Sequence, residues 1–230
     1  MFGYKRYLYL FSIFKIRTLH WDKNERDFFH FLNQIQKSDG IILDVGANIG
    51  IMTWHLSRKY PTREIISFEP ESVNFEVLSL VCEKSNLQNV QLIQKALGDQ
   101  QGKAKMILPI QGKTKMQGLA HIKHDSIELW NEGEEYEVDV ETLDGIFETK
   151  KIAAIKMDVE NFEFFVLKGG EKMIQRDRPT IYVELWENEN RIKCFDFIKG
   201  LGYKVCVLEK NELVEFNPNI HSQHNFTFVP

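Results

Sequence analysis

The segment Asp44-Val45-Gly46-Ala47-Asn48-Ile49-Gly50 joins an apolar run of strand length, 41–45, to a helical pattern over 51–60. A turn of this kind belongs at the carboxyl edge of an α/β sheet, where such sheets bind ligands. Gly46 and Gly50 let the backbone approach a ligand, and the helix that follows offers free N–H groups. Asn48 fills the middle slot of a GxGxG loop, and Asn tolerates the positive φ required there. No further glycine completes GxGxxG, and no phosphate-binding GxxxxGK loop is present. Dinucleotide and nucleoside triphosphate binding are therefore poor fits.

Asp44 discriminates further. A carboxylate at a strand mouth repels a pyrophosphate at close range and favours a ligand ammonium. Glu69 closes a second apolar run 25 residues downstream, where a carboxylate accepts both hydroxyls of a ribose. An amino acid joined to a ribose describes S-adenosylmethionine. The competing reading makes Asp44 a helix cap and Glu69 a surface charge.

The residues for proton transfer gather at two later strand ends. Asp158 and Glu160 follow the run 152–157, with a spacing of two that projects both to one side and Val159 away. Glu184 ends the run 180–185, and His121 and His124 fall in a polar stretch. Each is a candidate base for a weakly acidic hydroxyl, a role usually worth about 10²–10⁴-fold in rate. The competing roles are cofactor or substrate orientation for Asp158, a helix cap for Glu160, a bonded strand end for Glu184 and solvated loop positions for the histidines. Trp130, Tyr182 and Trp186 are candidates to stack on a sugar, or ordinary packing. Lys156 and Lys168 flank the acidic residues and balance their charge. Asp158, Glu160 and Glu184 lack any histidine at ligand spacing, so no metal is expected.

The elements that must position these groups alternate strand and helix. Strands at 41–45, 64–69, 90–93, 152–157 and 180–185 are separated by helices at 51–60, 71–85, 162–174 and 189–199, which implies parallel βαβ units. Residues 103–108 and 136–141 alternate like half-exposed antiparallel strands, and 203–208 with 226–229 form a terminal strand pair. The polar stretch within 110–135 is read as an inserted substrate loop. The reading is one domain over 40–230, preceded by a helical segment, 1–39.

The 230 residues hold three cysteines, 29 Lys and Arg and 33 Asp and Glu, for a net charge of −4. That balance lacks the basic cluster of a nucleic-acid binder. The unpaired cysteine pattern disfavours a disulfide scaffold or structural zinc and suits a reducing, cytoplasmic compartment. Residues 1–19 are aromatic and aliphatic but broken by Lys5, Arg6, Lys15 and Arg17, too short a run to span a bilayer. They read as a helix packed on its own domain or a second subunit, or as one lying on a membrane surface. The oligomeric state is open.

DVGANIG, FEP (68–70), ALGD (96–99), TLD (142–144) and IKMDVEN (155–161) together resemble the FkbM family of S-adenosylmethionine-dependent methyltransferases, from about residue 28 to about residue 185. The resemblance implies a class I methyltransferase fold, an α/β Rossmann-like seven-stranded, mostly parallel sheet with a terminal antiparallel strand and helices on both faces. It implies an O-methyltransferase acting on a hydroxyl of a sugar, glycan or glycosylated small molecule, with S-adenosylhomocysteine as product. Asp44, Gly46, Ala47, Asn48 and Gly50 would surround the methionine end, Glu69 would hold the ribose, Pro70 would lie beside the adenosine, and Lys95 and Ala96 would border the adenine. Asp158 would orient cofactor or substrate. Asn161 replaces the glycine of the family's DVEG, and Asn keeps a left-handed conformation available. The rival readings are a cofactor-binding module without turnover, a nicotinamide-dependent oxidoreductase, and a protein or nucleic-acid methyltransferase.

Overall fold

The computed structural model describes residues 2–35, 39–112, 114–124 and 132–230. Helix α1 (Phe2–Thr18) and helix α2 (Arg26–Gln34) precede strand β1 (Ile41–Val45), α3 (Ile51–Lys59), β2 (Ile65–Phe68), α4 (Ser72–Lys84) and β3 (Val90–Ile93). The chain then forms β4 (Ala96–Leu97), β5 (Gly102–Gln111), β6 (Thr114–Lys115), β7 (His121–Ile122) and β8 (Gly133–Glu141). After α5 (Leu143–Ile146) come β9 (Ile152–Met157), α6 (Glu163–Lys168), α7 (Glu171–Asp177) and β10 (Thr180–Glu184). Helix α8 (Glu189–Gly200), β11 (Lys204–Glu209), β12 (Glu212–Glu215) and β13 (Asn225–Val229) complete it.

The main sheet runs β12-β11-β13-β10-β9-β1-β2-β3. Helices cover both faces of its central strands, so β1 and β9 are buried at every position and apolar apart from Asp44 and Lys156. β13 enters antiparallel to β10, and β11 antiparallel to β13. This is the doubly wound α/β class expected, with an eighth strand, β12, hairpinned onto β11 through Lys210 and Asn211, both at positive φ. The sequence gives that short edge strand no apolar period to recognise it by.

Register sets the functional edge. Val45 pairs with both Phe68 and Met157, and Met157 pairs with Val183. Strands β1, β2, β9 and β10 therefore end flush, and the turns after them open on one side.

A second sheet, β4-β8-β5-β6 with β7 on β5, packs beside that edge. β5 and β8 pair antiparallel from Gly102↔Val140 to Pro109↔Gly133, longer than their alternation alone suggests. The inserted loop is thus only partly a loop: β6, a 3-10 turn at Gln117–Leu119, and β7 are folded against β5. The helix expected over 162–174 is two helices. It breaks at Gly169, where a Cβ would lie 1.9 Å from the Gly98 carbonyl oxygen, so that backbone crossing admits only glycine.

Candidate active site

The Gly-rich turn is shaped by left-handed residues. Gly46, Asn48 and Gly50 have φ of 75°, 48° and 85°. A Cβ on Gly46 would lie 1.8 Å from the Asp158 carbonyl oxygen, so this turn and the one after β9 are in backbone contact. Gly50 packs beneath Leu78 at the start of α3; its role is to close the turn, and it lines neither cleft described below.

Glu69 ties the next turn to this one. Its Oε2 accepts the Asn48 N–H at 2.8 Å and its Oε1 the Glu71 N–H at 2.9 Å. Each oxygen keeps a lone pair for a ligand hydroxyl. Burial pushes the Glu69 carboxyl up to about 7, against the backbone bonds that favour its ionised form.

These turns wall a cleft of about 580 Å³, reached by Gly46, Asn48, Glu69, Pro70, Lys95, Ala96, His121, Asp158 and Glu160 among the residues expected. Lys95 is held at its rim by Glu141, 2.7 Å away. Asn74 and Gln117 also line this cleft, and their Oδ1 and Oε1 atoms are buried without a hydrogen-bond partner. Orphaned buried acceptors on residues that line a cavity suit a ligand that brings donors, such as an adenosine. The cleft therefore fits S-adenosylmethionine on its glycine cradle, its carboxylate at the β2 end and its unmet acceptors.

A second cleft of about 760 Å³ adjoins it, between the strand edge and the N-terminal helix. Leu8, Phe11 and Lys15 of α1, Leu19, Glu25, Ala47, Met52 and Lys156 line it, and it shares Gly46, Asn48, Gln117, Gly118 and Asp158 with the first. Among the described residues, Asp158 is the one carboxylate on both.

Asp44 corrects its expected role. It is fully buried within β1; Oδ2 accepts from Thr53 Oγ1 at 2.6 Å, and the Lys156 ammonium stands 3.5 Å from Oδ1. The chain supplies its own ammonium there, and Asp44 reaches neither cleft. Lys156 Nζ also donates to the Gly46 carbonyl at 3.0 Å and lies 3.8 Å from Asp158 Oδ2. Burial pulls the Lys156 ammonium down, but Asp44, Asp158 and Glu184 outweigh it and raise its pKa. Lys168 is elsewhere, paired with Asp99 at 3.0 Å.

The acidic strand ends also differ from the period-2 picture. Glu160 and Asn161 take φ of 54° and 74°, so the chain leaves the extended form, and Val159 lines the cleft beside Asp158 and Glu160. Burial first, then the Asp158 and Glu184 carboxylates, raise the Glu160 pKa. Glu184 is raised by burial and by Asp158 in turn but lines neither cleft. Asn161 keeps the left-handed form expected of it, its Oδ1 accepting from Asn188 Nδ2 at 2.5 Å.

Glu160 does not cap α6. Glu163 secures this loop instead: Oε1 accepts the Val159 and Asn161 N–H groups, both at 3.2 Å, and Oε2 accepts from Asn190 Nδ2 at 2.7 Å. Sequence reasoning missed Glu163, although an acid in the first turn of a helix was the available signal.

His121 is buried in β7 rather than solvated, Nδ1 2.9 Å from the Leu119 carbonyl oxygen, and faces the first cleft only. The His124 ring packs against Phe165, centroids 4.5 Å apart. Tyr182 lies in the core against Phe28 and Phe31, so it is no sugar platform, and Trp186 lines neither cleft. Trp130 falls outside the described residues. Among the described residues no group of acids, histidines or cysteines has a metal-holding arrangement.

The family model described as the methyltransferase FkbM domain matches residues 44–223. The chain belongs to the FkbM methyltransferase family. Methyltransferase 1 of Beauveria bassiana (strain ARSEF 2860) is 30% identical over 145 residues, covering 57% of this chain and 58% of that relative. Methyltransferase sdnD of Sordaria araneosa is 27% identical over 179 residues, covering 65% and 68% of the two chains. The chain thus spans under two thirds of the first relative's length. In fold it is similar to the FkbM methyltransferase of Methylobacillus flagellatus KT, with a TM-score of 0.57 at 15% identity, covering 83% of this chain and 43% of that one. A Streptococcus mutans methyltransferase crystallised with S-adenosylhomocysteine gives a TM-score of 0.50 at 15% identity, covering 90% and 97%.

Proposed function

We propose that this FkbM methyltransferase uses S-adenosylmethionine to methylate a hydroxyl of a sugar, glycan or glycosylated small molecule. The observation that carries the reading is the meeting of two clefts at Asp158. The first takes the cofactor, with Glu69 at its ribose and the turn 46–48 at its methionine end. The second takes the acceptor.

Bound there, the cofactor supplies a methyl group on a sulfonium, an electrophile with a neutral leaving group. The chain's own part begins with placement. Holding an acceptor oxygen in line is worth about 7–11 kcal/mol when the geometry is productive. Gly46 and Asn48 of the glycine turn and Gln117 and Gly118 of the 3-10 turn line both clefts at the junction. Asp158 accepts the hydroxyl proton at its carboxylate. Its side chain is 37% exposed, open enough to meet an acceptor, and the Lys156 ammonium lies 3.8 Å away. Glu160, with its raised pKa, keeps its proton more readily and suits a donor role to the acceptor.

Calorimetric titration with S-adenosylhomocysteine tests the pocket, and transfer of labelled methyl to a panel of glycosides tests the chemistry. Asp158→Asn is expected to keep product affinity while losing transfer by about 10²–10⁴-fold. A folded protein that binds no S-adenosylhomocysteine overturns the reading.

A further inference from the structure

Helix α1 is apolar on two faces, and the domain covers only one. Leu8, Ser12 and Ile16 point inward, and Ser12 Oγ donates to the Ile49 carbonyl at 2.9 Å. The Lys5–Glu76 pair ties the helix to α4. These contacts fix its rotation and leave Tyr4, Tyr7, Leu10, Phe11 and Phe14 outward, with Tyr7 and Phe14 each 60% exposed. The Tyr4, Tyr7 and Phe11 rings follow one another at 6.3 Å spacings, and Trp21 beyond the helix is 71% exposed. Monomeric proteins rarely leave such a stripe bare.

Charge selects the occupant. Residues 1–21 contain Lys5, Arg6, Lys15 and Arg17 and no Asp or Glu, in a chain whose net charge is −4. Arg6 and Arg17 are exposed at either end of the stripe. Two copies of α1 face to face would bring cations together with no acid on either helix. An anionic lipid surface satisfies both features: tyrosine and tryptophan settle at the headgroup level, and arginines meet lipid phosphates. No described helix is long and apolar enough to cross a membrane, so the contact is in-plane.

We propose that α1 docks this protein on an anionic phospholipid surface through its aromatic stripe, with Arg6 and Arg17 as the charge contacts. Because Leu8, Phe11 and Lys15 of the same helix wall the second cleft, docking brings that cleft against the lipid. That consequence rests on the acceptor reading above; the docking does not.

Flotation of the full chain with vesicles of phosphatidylcholine, alone or with one part in four phosphatidylglycerol, tests it. Binding to the anionic vesicles is expected to exceed that to the neutral ones by about tenfold and to fall with salt. A Tyr7→Ser/Phe14→Ser variant and an Arg6→Gln/Arg17→Gln variant are each expected to lose it, with thermal midpoint and S-adenosylhomocysteine affinity unchanged. Should the serine variant not fold, the arginine variant and the salt dependence of the natural sequence still decide. Absence of binding to either vesicle overturns the proposal. So does a dimer in solution that the Tyr7→Ser/Phe14→Ser variant converts to monomer.

Discussion

Lys156 places its ammonium 3.0 Å from the carbonyl oxygen of Gly46, which fastens the glycine turn to the strand beside it. The same ammonium lies 3.5 Å from Asp44 and 3.8 Å from Asp158. One buried cation thus connects the strand β1 carboxylate, the turn that borders both clefts, and the carboxylate at their junction.

Removing that cation strands Asp44 in the core. Lys156→Met is expected to cost about 3–5 kcal/mol, because a buried charge loses its partner. The double variant Lys156→Met/Asp44→Asn should recover much of that loss. Urea denaturation of the single and double variants measures the difference, and equal stability of the two would refute the pairing.

Gly46 tolerates no side chain. Gly46→Ala meets the Asp158 carbonyl and a left-handed backbone at once, the latter alone costing about 1–2 kcal/mol. Both a lower denaturation midpoint and a loss of S-adenosylhomocysteine affinity of about tenfold or more are expected, read by denaturation and calorimetry on the same preparation.

Glu69→Gln probes the carboxylate without changing its size. One backbone N–H then faces an amide NH2 in place of an acceptor, and a ribose loses an anionic partner. Affinity for S-adenosylhomocysteine should drop by about tenfold, near 1.4 kcal/mol, while adding little change in fold by circular dichroism.

The crowded carboxyls make stability pH-dependent. Glu69 and Glu163 are pushed up to about 7 from an ordinary 4.5, by burial first, and Glu160 and Glu184 are raised as well. A carboxyl that holds its proton more tightly when folded stabilises the fold below its unfolded pKa and loses that contribution as pH rises through the folded value. Stability should therefore decline between pH 4.5 and about 7 and beyond. Glu160→Gln should flatten the decline, gaining about 2–4 °C in thermal midpoint at pH 8 for each kcal/mol relieved, and little at pH 5. A gain of the same size at both pH values would exclude a titrating Glu160.

The sheet's centre was legible because parallel strands covered on both faces are buried at every position and run mostly apolar, as β1 and β9 do apart from Asp44 and Lys156. The glycine turn was legible because left-handed backbone restricts the residue types allowed at 46, 48 and 50. Each of these signals is local: the chain meets the constraint within a few residues of where it is written.

What the tertiary structure decided is non-local. That Asp44 faces Lys156 rather than a ligand depends on β1 and β9 lying side by side, across more than a hundred residues of chain. The break at Gly169 comes from a crossing with Gly98, and the burial of His121 and Tyr182 comes from sheets and helices that no spacing encodes. The second cleft needs α1 laid along the strand edge, a placement set by packing against α3 and α4. Residue types and their local spacing specified the chemistry available to this protein, but which groups meet follows from contacts between distant segments, whose energies appear only once the chain has folded.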